Sequence, residues 1–195
     1  MGWEFQPAIN TAGGLLCFWN EQVFKLERKE MGRGFILLEG VWTQENQKIC
    51  VVNIYSPCDS QQKRILWDSL KQLRQQDPEG LWCFMRDFNS IRHHSEREGV
   101  SHRGADASNI HDFNKWIAEV ELEEIPCVGK KFTWFKPNGV AKSRLDMFLV
   151  SLNWLNKWPA CTSFTLDRNF FDHCPILLRA KAVEWGPKPF RVFDC

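Results

Sequence analysis

The first part of the chain alternates short apolar runs with polar turns, in the pattern of β-strands. Runs rich in β-branched and aromatic residues lie at 15–19, 35–38 and 49–55, and their shortness favours strands over helices. After Asp59, a residue type that caps helix N-termini, leucines recur at helical spacing. The sequence therefore predicts several strands followed by a helix of about four turns.

The second part of the chain repeats this alternation. The apolar run 81–85 predicts a strand, and apolar residues at helical spacing predict a helix that starts after Ser108. The β-rich segments 132–135 and 145–149 flank an Asn-Gly step, which is typical of a turn between antiparallel strands. The remaining predicted elements are a short helix at 154–158, a strand near 164 and a strand at 174–178. Strands interspersed with helices in this way indicate an α/β fold.

Composition and charge limit the class of protein. A chain of 195 residues that is 44% hydrophobic can form one domain with a substantial core. Its formal net charge is +1, so the chain as a whole does not have the excess of basic residues that is typical of a general nucleic-acid-binding protein. No apolar run approaches the roughly 20 residues that span a bilayer, and the N-terminus does not resemble a signal peptide. The 8 cysteines form no Cys-x-x-Cys pair. This indicates an intracellular, reducing location, nuclear or cytoplasmic, and no membrane partner.

Candidate chemistry first appears where the strand at 81–85 ends. Asp87 and Asn89 stand two residues apart and would face one ligand if the strand continued, although both are also ordinary turn residues. Asp146 lies within an apolar run, and because a buried carboxylate without a partner is unfavourable, it needs a hydrogen-bond or ion-pair partner. From spacing alone, His173 and the neighbouring Arg144 are equally good partners for it.

Phosphodiester hydrolysis needs neutralisation of phosphate charge, a positioned water and relief of the leaving oxygen. Carboxylates that hold Mg²⁺, an amide donor and a histidine can supply these functions. The residues that we predict for this chemistry are Asp87, Asn89, Asp146, Asp172 and His173.

Ordered motifs resemble those of endonuclease/exonuclease/phosphatase domains. The motifs are Asn53-Ile54-Tyr55-Ser56-Pro57, Asp87-Phe88-Asn89-Ser90, Phe132-Thr133-Trp134, Ser143-Arg144-Leu145-Asp146 and Asp172-His173-Cys174-Pro175-Ile176. Narrower motifs resemble the endonuclease domain of plant LINE-type (non-LTR) retrotransposons: Gly13-Gly14-Leu15-Leu16, Ser95-Glu96-Arg97 and Trp185-Gly186-Pro187-Lys188-Pro189-Phe190. The resemblance covers nearly the whole chain from about Gly13 onward.

The resemblance implies a fold, a cofactor and roles for residues. The fold would be a four-layer α/β/β/α sandwich of two mixed sheets, incomplete at the N-terminus, and the cofactor Mg²⁺ or Mn²⁺. The domain would occupy 13–182, between a divergent segment at 1–12 and an extended tail at 183–195. The implied catalytic residues are Tyr55 near the phosphate, Asp87 and Asn89 at the attacking water and phosphate, Asp146 as an orienting residue, and His173, with Asp172 as a metal ligand. The implied DNA-binding residues are Thr133, Trp134, Lys130, Lys131 and Arg144.

The sequence departs from the family pattern at positions that matter for activity. We identify no match for two N-terminal elements of the family, which carry an Asn and a metal-binding Glu. Arg86 stands where the family has a glycine, and Phe171 where it has a small serine.

We therefore expect the remnant of a Mg²⁺-dependent DNA endonuclease with impaired catalysis, whose ancestor carried a reverse transcriptase domain in the same chain. The alternatives are a non-catalytic nucleic-acid-binding or protein-binding remnant and a fragment that does not fold stably. A phosphatase of small phosphoesters fits the narrower motifs less well.

Overall fold

The structure is a computed structural model, and it describes residues 1–8, 13–99, 105–169 and 171–180. The predicted tail at 183–195 lies outside the described residues, as do residues 9–12 of the predicted N-terminal segment. No helix in the described ranges is long and apolar enough to cross a membrane.

Strands dominate the first half of the chain. They are β1 (Gly2–Gln6), β2 (Leu15–Trp19), β3 (Phe24–Gly32), β4 (Phe35–Trp42), β5 (Gln47–Tyr55) and β6 (Trp82–Asp87), with helix α1 (Ser60–Gln76) between the last two. The second half contains β7 (Arg97–Glu98), α2 (Ala105–Glu119), β8 (Leu122–Glu124), β9 (Cys127–Gly129), β10 (Trp134–Phe135), β11 (Lys142–Ser143), β12 (Asp146–Ser151), α3 (Leu152–Lys157), β13 (Thr162–Thr165) and β14 (Ile176–Arg179).

A six-stranded mixed sheet forms the centre of the molecule, in the order β3-β4-β5-β6-β12-β8. Only β5 and β6 run parallel, and α1 connects them, because parallel neighbours need a crossover that returns the chain to the same end of the sheet. Every other pairing in this sheet is antiparallel. The parallel pair brings the carboxyl ends of β5 and β6 to one rim.

The two faces of the central sheet bury separate cores. Alternate residues of β6 show the division, since Trp82 and Phe84 join a core with α1 and α2, whereas Cys83 joins the core on the opposite face. The helical side is rich in aromatic rings, and the Trp67 and Trp116 rings stack with their centroids 4.6 Å apart. Both helices therefore form one outer layer of the molecule.

A second layer of strands covers the other face of the central sheet, and it is split. One part is the antiparallel pair β1-β2, and the other is the sheet β14-β13-β9. Leu15 and Cys17 of β2, and Ile176 and Leu178 of β14, all pack against the same core. The predicted α/β class and two packed sheet layers are thus confirmed.

Several predicted elements are confirmed and others need correction. The strands predicted at 15–19 and 49–55 are present, and α1 begins after Asp59 as expected. The sequence patterns missed β3, because its exposed positions carry alternating charges that hide the apolar period. Helix α2 begins at Ala105, before the predicted start.

The predicted hairpin around the Asn-Gly step was wrong in its second arm. The arm that pairs with β10 is β11, whereas β12 enters the central sheet between β6 and β8. The turn itself is as expected, with Gly139 at φ 71°.

Replacing Asp59 by Ala should lower the free energy of unfolding by about 1 kcal/mol. The Asp59 carboxylate accepts the Gln62 backbone N–H at 2.9 Å, and this N–H has no partner within the helix. Chemical denaturation measures the change. Asp68→Ala, on an exposed position of the same helix, is the matched control, and equal losses in the two variants would contradict a capping role.

Candidate active site

Strand register places three polar side chains in one row at the rim of the central sheet. Tyr55 of β5 pairs with Asp87 of β6, and Asp87 pairs with Asp146 of β12. Partners in adjacent strands project from the same face of a sheet, here the face that the second layer of strands covers. The two carboxyl groups are almost fully buried, Asp87 at 4% and Asp146 at 6% exposure.

His173 joins the two carboxylates. Its Nδ1 lies 2.8 Å from Asp146 Oδ2 in a hydrogen bond, and its Nε2 lies 3.8 Å from Asp87 Oδ2. This geometry settles the choice that the sequence left open, because the partner of Asp146 is His173 and not Arg144. The hydrogen bond at Nδ1 also fixes the orientation of the imidazole ring.

Burial and mutual charge shift the pKa values of this group. Burial raises the pKa of Asp87 to about 6, with a further contribution from the negative charge of Asp146. Burial by itself would lower the pKa of His173, but the hydrogen bond to Asp146 and the charges of the nearby carboxylates raise it above its ordinary value. Asp87 can therefore exchange a proton near neutral pH, and the raised pKa of His173 favours its charged form.

Asn89 is held in place by the backbone around it. Its backbone N–H donates to Asp87 Oδ1 at 2.8 Å, and its Nδ2 donates to the Ser56 carbonyl at 2.6 Å and to Asp87 Oδ2 at 3.3 Å. Lys63 of α1 is 6% exposed, and its Nζ donates to the Asn89 carbonyl at 2.5 Å and to Ser90 Oγ at 3.0 Å. These contacts fix the loop that follows β6.

Thr133 and Trp134 hold neighbouring segments of the site in register. Thr133 Oγ1 accepts the backbone N–H groups of Leu145 and Asp146 at 2.9 and 3.0 Å. Its exposure is 1%, so its side chain is almost fully buried, and the predicted DNA-facing role stays a prediction. The half-buried Trp134 donates from Nε1 to Asp172 Oδ2 at 3.0 Å, which restrains the residue next to His173.

The predicted basic DNA-binding residues do not converge on this row. Arg144 is 16% exposed in its side chain and bridges Glu96 and Glu124. The Lys130 ammonium lies 2.8 Å from the Asp167 carboxylate, and that of Lys131 lies 5.2 Å from the centroid of the Phe132 ring. Arg144 in particular would have to leave two carboxylates to contact a phosphate.

A cleft of about 760 Å³ opens over the polar row. Its walls come from β2, from the central strands β5, β6 and β12, and from the segment before β14. Residues that line it include Leu16, Phe18, Asn53, Tyr55, Met85, Arg86, Asp87, Asp146, Phe148, Phe171, Asp172, His173 and Ile176. Phe171 is 76% exposed at this cleft. Four of the five residues predicted for phosphodiester chemistry thus line one cavity, and the fifth, Asn89, is hydrogen-bonded to Asp87.

Sequence reasoning assigned no role to two residues that shape the site. Asn53 lies in an otherwise apolar strand and faces the cleft, and a polar residue in such a run is the signal that could have identified it. Lys63 occupies the buried stripe of α1, where a cation needs a partner. The sequence did not show that this partner would be the loop carrying Asn89.

The described residues do not form a complete Mg²⁺ site. They contain no group of three or more His, Cys, Asp or Glu side chains in positions to hold one metal ion. Asp172, the predicted ligand, is hydrogen-bonded to Trp134, and Asp146 is hydrogen-bonded to His173. Mg²⁺ prefers oxygen ligands in nearly octahedral geometry. In this structure the carboxylates of Asp146 and Asp172 instead form hydrogen bonds with side-chain nitrogen atoms.

Comparison with solved structures identifies the fold. The chain is similar to the endonuclease domain of TRAS1, a telomere-specific non-LTR retrotransposon, with TM-score 0.66, 11% identity, and coverage of 91% of this chain and 80% of the other. It is also similar to the AP endonuclease LMAP of Leishmania major, with TM-score 0.61, 14% identity, and coverage of 90% and 69%.

An endonuclease/exonuclease/phosphatase family protein of Bacteroides thetaiotaomicron matches with TM-score 0.54, 14% identity, and coverage of 90% and 73%. No protein-family model and no curated protein matches the sequence. The chain therefore has the fold of endonuclease/exonuclease/phosphatase proteins, as the sequence motifs predicted.

Arg86→Gly should raise the free energy of unfolding by about 1 kcal/mol. Arg86 has φ 91°, a backbone conformation that strains residues with a Cβ and that glycine adopts freely. Arg86→Ala is the control, since it removes the charge but keeps the Cβ. Denaturant titration should show stabilisation in the glycine variant only, and an equal gain in both would assign the effect to charge.

Asp87→Asn should become more stable relative to the wild type as the pH rises. Because folding raises the pKa of Asp87 from 3.8 to about 6, its stabilising contribution is full below pH 3.8 and is lost as the pH rises through 6. The asparagine cannot ionise, so the difference in unfolding free energy should change by about 3 kcal/mol between pH 4 and pH 8. Thermal or urea unfolding across this range measures it. Parallel pH profiles for the two proteins would contradict the assignment, and Asp68→Asn controls for a general charge effect.

Proposed function

We propose that this chain is a domain descended from the DNA endonuclease of a plant LINE-type (non-LTR) retrotransposon, and that it cleaves phosphodiester bonds weakly or not at all. The observation that carries the proposal is the convergence of Asp87, Asp146 and His173 in one cleft. The fold that surrounds them is shared with a retrotransposon endonuclease domain and with an AP endonuclease.

The site retains groups that can move protons and hold charge. Asp87, with a pKa of about 6, can accept a proton from an attacking water near neutral pH. Asp146 fixes the ring of His173, whose raised pKa favours the charged form that would stabilise negative charge on a phosphate oxygen. Tyr55 lies beside Asp87 in the register and completes the polar row.

Three features of the same cleft support impaired catalysis. Asp172 is held by Trp134, which opposes the metal-binding role that the resemblance implies. Asn89 uses both donors of its amide on Ser56 and Asp87, so contact with a phosphate would require one of these bonds to break. Arg86 places a cation in the cleft next to Asp87.

Mg²⁺, or Mn²⁺, is part of this proposal only as a weakly bound cofactor. The resemblance implies the ion, which would neutralise phosphate charge when bound. The described carboxylates that could contact it are Asp87, Asp146 and Asp172, and they do not form a complete ligand set. We therefore expect metal affinity well below that of a preformed carboxylate site.

DNA is the substrate class that we propose for the ancestral reaction. Two of the structural neighbours are endonucleases. The net charge of +1 and the pairing of Arg144 and Lys130 with carboxylates argue for weak binding to the phosphate backbone. A reverse transcriptase domain in the ancestral chain follows from the same resemblance and remains part of the proposal.

A supercoiled-plasmid nicking assay with Mg²⁺ tests the proposed loss of activity. We expect the wild type to nick no faster than Asp87→Ala, His173→Ala or the wild type in EDTA, because the metal ligand set is incomplete. Asp68→Ala, on an exposed position of α1, controls for contaminating nucleases and for general effects of mutation. Metal-dependent nicking by the wild type that both site variants abolish would refute impairment, while supporting nuclease descent.

A binding measurement distinguishes the alternative of a non-catalytic nucleic-acid-binding remnant. Affinity for a labelled DNA duplex, titrated at several salt concentrations, should be weak and should fall only gently with salt. Tight binding with a steep salt dependence and without turnover would favour the binding remnant over a decayed enzyme.

A further inference from the structure

Two sequence motifs that lie far apart in the chain contact each other beside the polar row. They are Ser95-Glu96-Arg97 and Ser143-Arg144-Leu145-Asp146, and the second ends in a residue of that row. Strands β7 and β11 pair Arg97 with Ser143, and Arg97 Nε donates to Ser143 Oγ at 3.2 Å. The Arg144 backbone N–H donates to the Glu96 carbonyl at 2.9 Å. The segment that leads into β12 is therefore attached to the loop between β6 and β7.

The two motifs also contribute to a closed loop of opposite charges, the Glu96–Arg144 network. Arg144 Nη1 lies 2.9 Å from Glu96 Oε1, and Arg144 Nη2 forms an ion pair with Glu124 of β8. Glu124 Oε2 lies 2.9 Å from Arg92 Nη1. The Arg92 backbone N–H closes the loop, because it donates to Glu96 Oε2 at 2.7 Å. Two arginines and two glutamates thus join the loop after β6, strand β8 and the segment before β12.

Burial of the Glu96–Arg144 network indicates what it contributes. Its four side chains are between 8% and 26% exposed. Removal of charges from water costs free energy that their mutual attraction only partly offsets, so a buried ion pair is weak evidence for stability. A network whose members are all hydrogen-bonded makes one arrangement of the joined segments rigid. We therefore expect this network to fix geometry more than it stabilises the fold.

The geometry that the network fixes leads directly to the polar row. Arg144 lies two residues before Asp146. Between them, the Leu145 carbonyl accepts the backbone N–H of Phe88 in the loop after β6 at 3.0 Å. The Asp146 carboxylate then meets His173 Nδ1 at 2.8 Å. Because hydrogen bonds tolerate only a narrow range of distances, a shift of about 1 Å in this segment would break the bond to His173.

We propose that Glu96 and Arg144 are positioning residues of the candidate active site, which set the path of the chain into β12 and so keep the Asp146 carboxylate hydrogen-bonded to His173. Neither Glu96 nor Arg144 is among the described residues that line the cleft, so both act through Asp146. This role differs from the DNA contact predicted for Arg144. The proposal rests on the proposed function in taking Asp146 and His173 as part of the site, but the bond that it concerns is measured without turnover.

Proton NMR of the full chain, labelled with ¹⁵N, observes this bond through the proton on His173 Nδ1. A hydrogen bond to a carboxylate moves the resonance of a histidine ring proton to low field and protects the proton from exchange with water. The variant His173→Gln, which lacks the proton, assigns the resonance. All variants are compared at one pH and without denaturant.

Glu96→Gln should accelerate exchange of the His173 ring proton by about tenfold, because Arg144 loses a charged partner and the segment before Asp146 gains freedom. Glu98→Gln is the matched control. Glu98 forms an exposed ion pair with Lys142 at 2.9 Å across the same two strands, β7 and β11, and its variant should exchange at the wild-type rate.

Three further variants separate positioning from stability and allow for poor folding of Glu96→Gln. Asp59→Ala lowers the free energy of unfolding at the start of α1, away from the network, and should leave the exchange rate unchanged. Arg144→Met should accelerate exchange at least as much as Glu96→Gln. Arg144→Lys retains one positive charge, and its exchange rate should lie between those of Arg144→Met and the wild type.

Four outcomes would overturn the proposal. Wild-type exchange rates in Glu96→Gln and Arg144→Met are the first, and rates that follow the unfolding free energy in every variant, Asp59→Ala included, are the second. The third is faster exchange in Thr133→Val with no change in Glu96→Gln, since the Thr133 hydroxyl alone would then hold Asp146.

The fourth is the absence of a protected ring proton in the wild type, which would also remove the pairing of Asp146 with His173 from the proposed function. Plasmid nicking measures that function separately. A protected proton that does not respond to Glu96→Gln overturns the positioning role alone.

Discussion

The structure depends on the burial of two facing carboxylates, Asp87 and Asp146, at the rim of the central sheet. Two like charges in adjacent strands repel each other, and burial removes the water that would screen them. His173 offsets this repulsion through a hydrogen bond to one carboxylate and proximity to the other. The raised pKa values of Asp87 and His173 are the direct consequence, and they keep exchangeable protons at the site.

Much of the surrounding structure serves to hold this group in place. Thr133 fixes the start of β12 through two backbone amides, and Lys63 reaches from α1 to the loop that carries Asn89. These contacts connect the helical layer, the central sheet and the segment before β14 at one rim. Because several polar groups at this rim form hydrogen bonds with one another, fewer of them are available to bind a ligand. We therefore expect weak metal binding, although nucleases share this fold.

In the described residues, the second layer consists of two separate parts, β1-β2 and β14-β13-β9. Its two parts pack against one core, and residues of β2 and β14 line the cleft together with Asn53, whose buried Oδ1 has no hydrogen-bond donor among the described residues. The same cleft contains the polar row, so whatever fills it determines how much water reaches Asp87 and His173.

The sequence by itself determined the α/β class, most of the strands, the start of α1 and the set of candidate site residues, because these follow from local periodicity, capping and residue type. Only the tertiary structure decided which residues meet. By spacing alone, Arg144 could pair with Asp146. In the structure, Arg144 forms ion pairs with Glu96 and Glu124, and Asp146 forms a hydrogen bond with His173. Strand register and crossover connections set such contacts between residues far apart in the chain, and no local pattern encodes them.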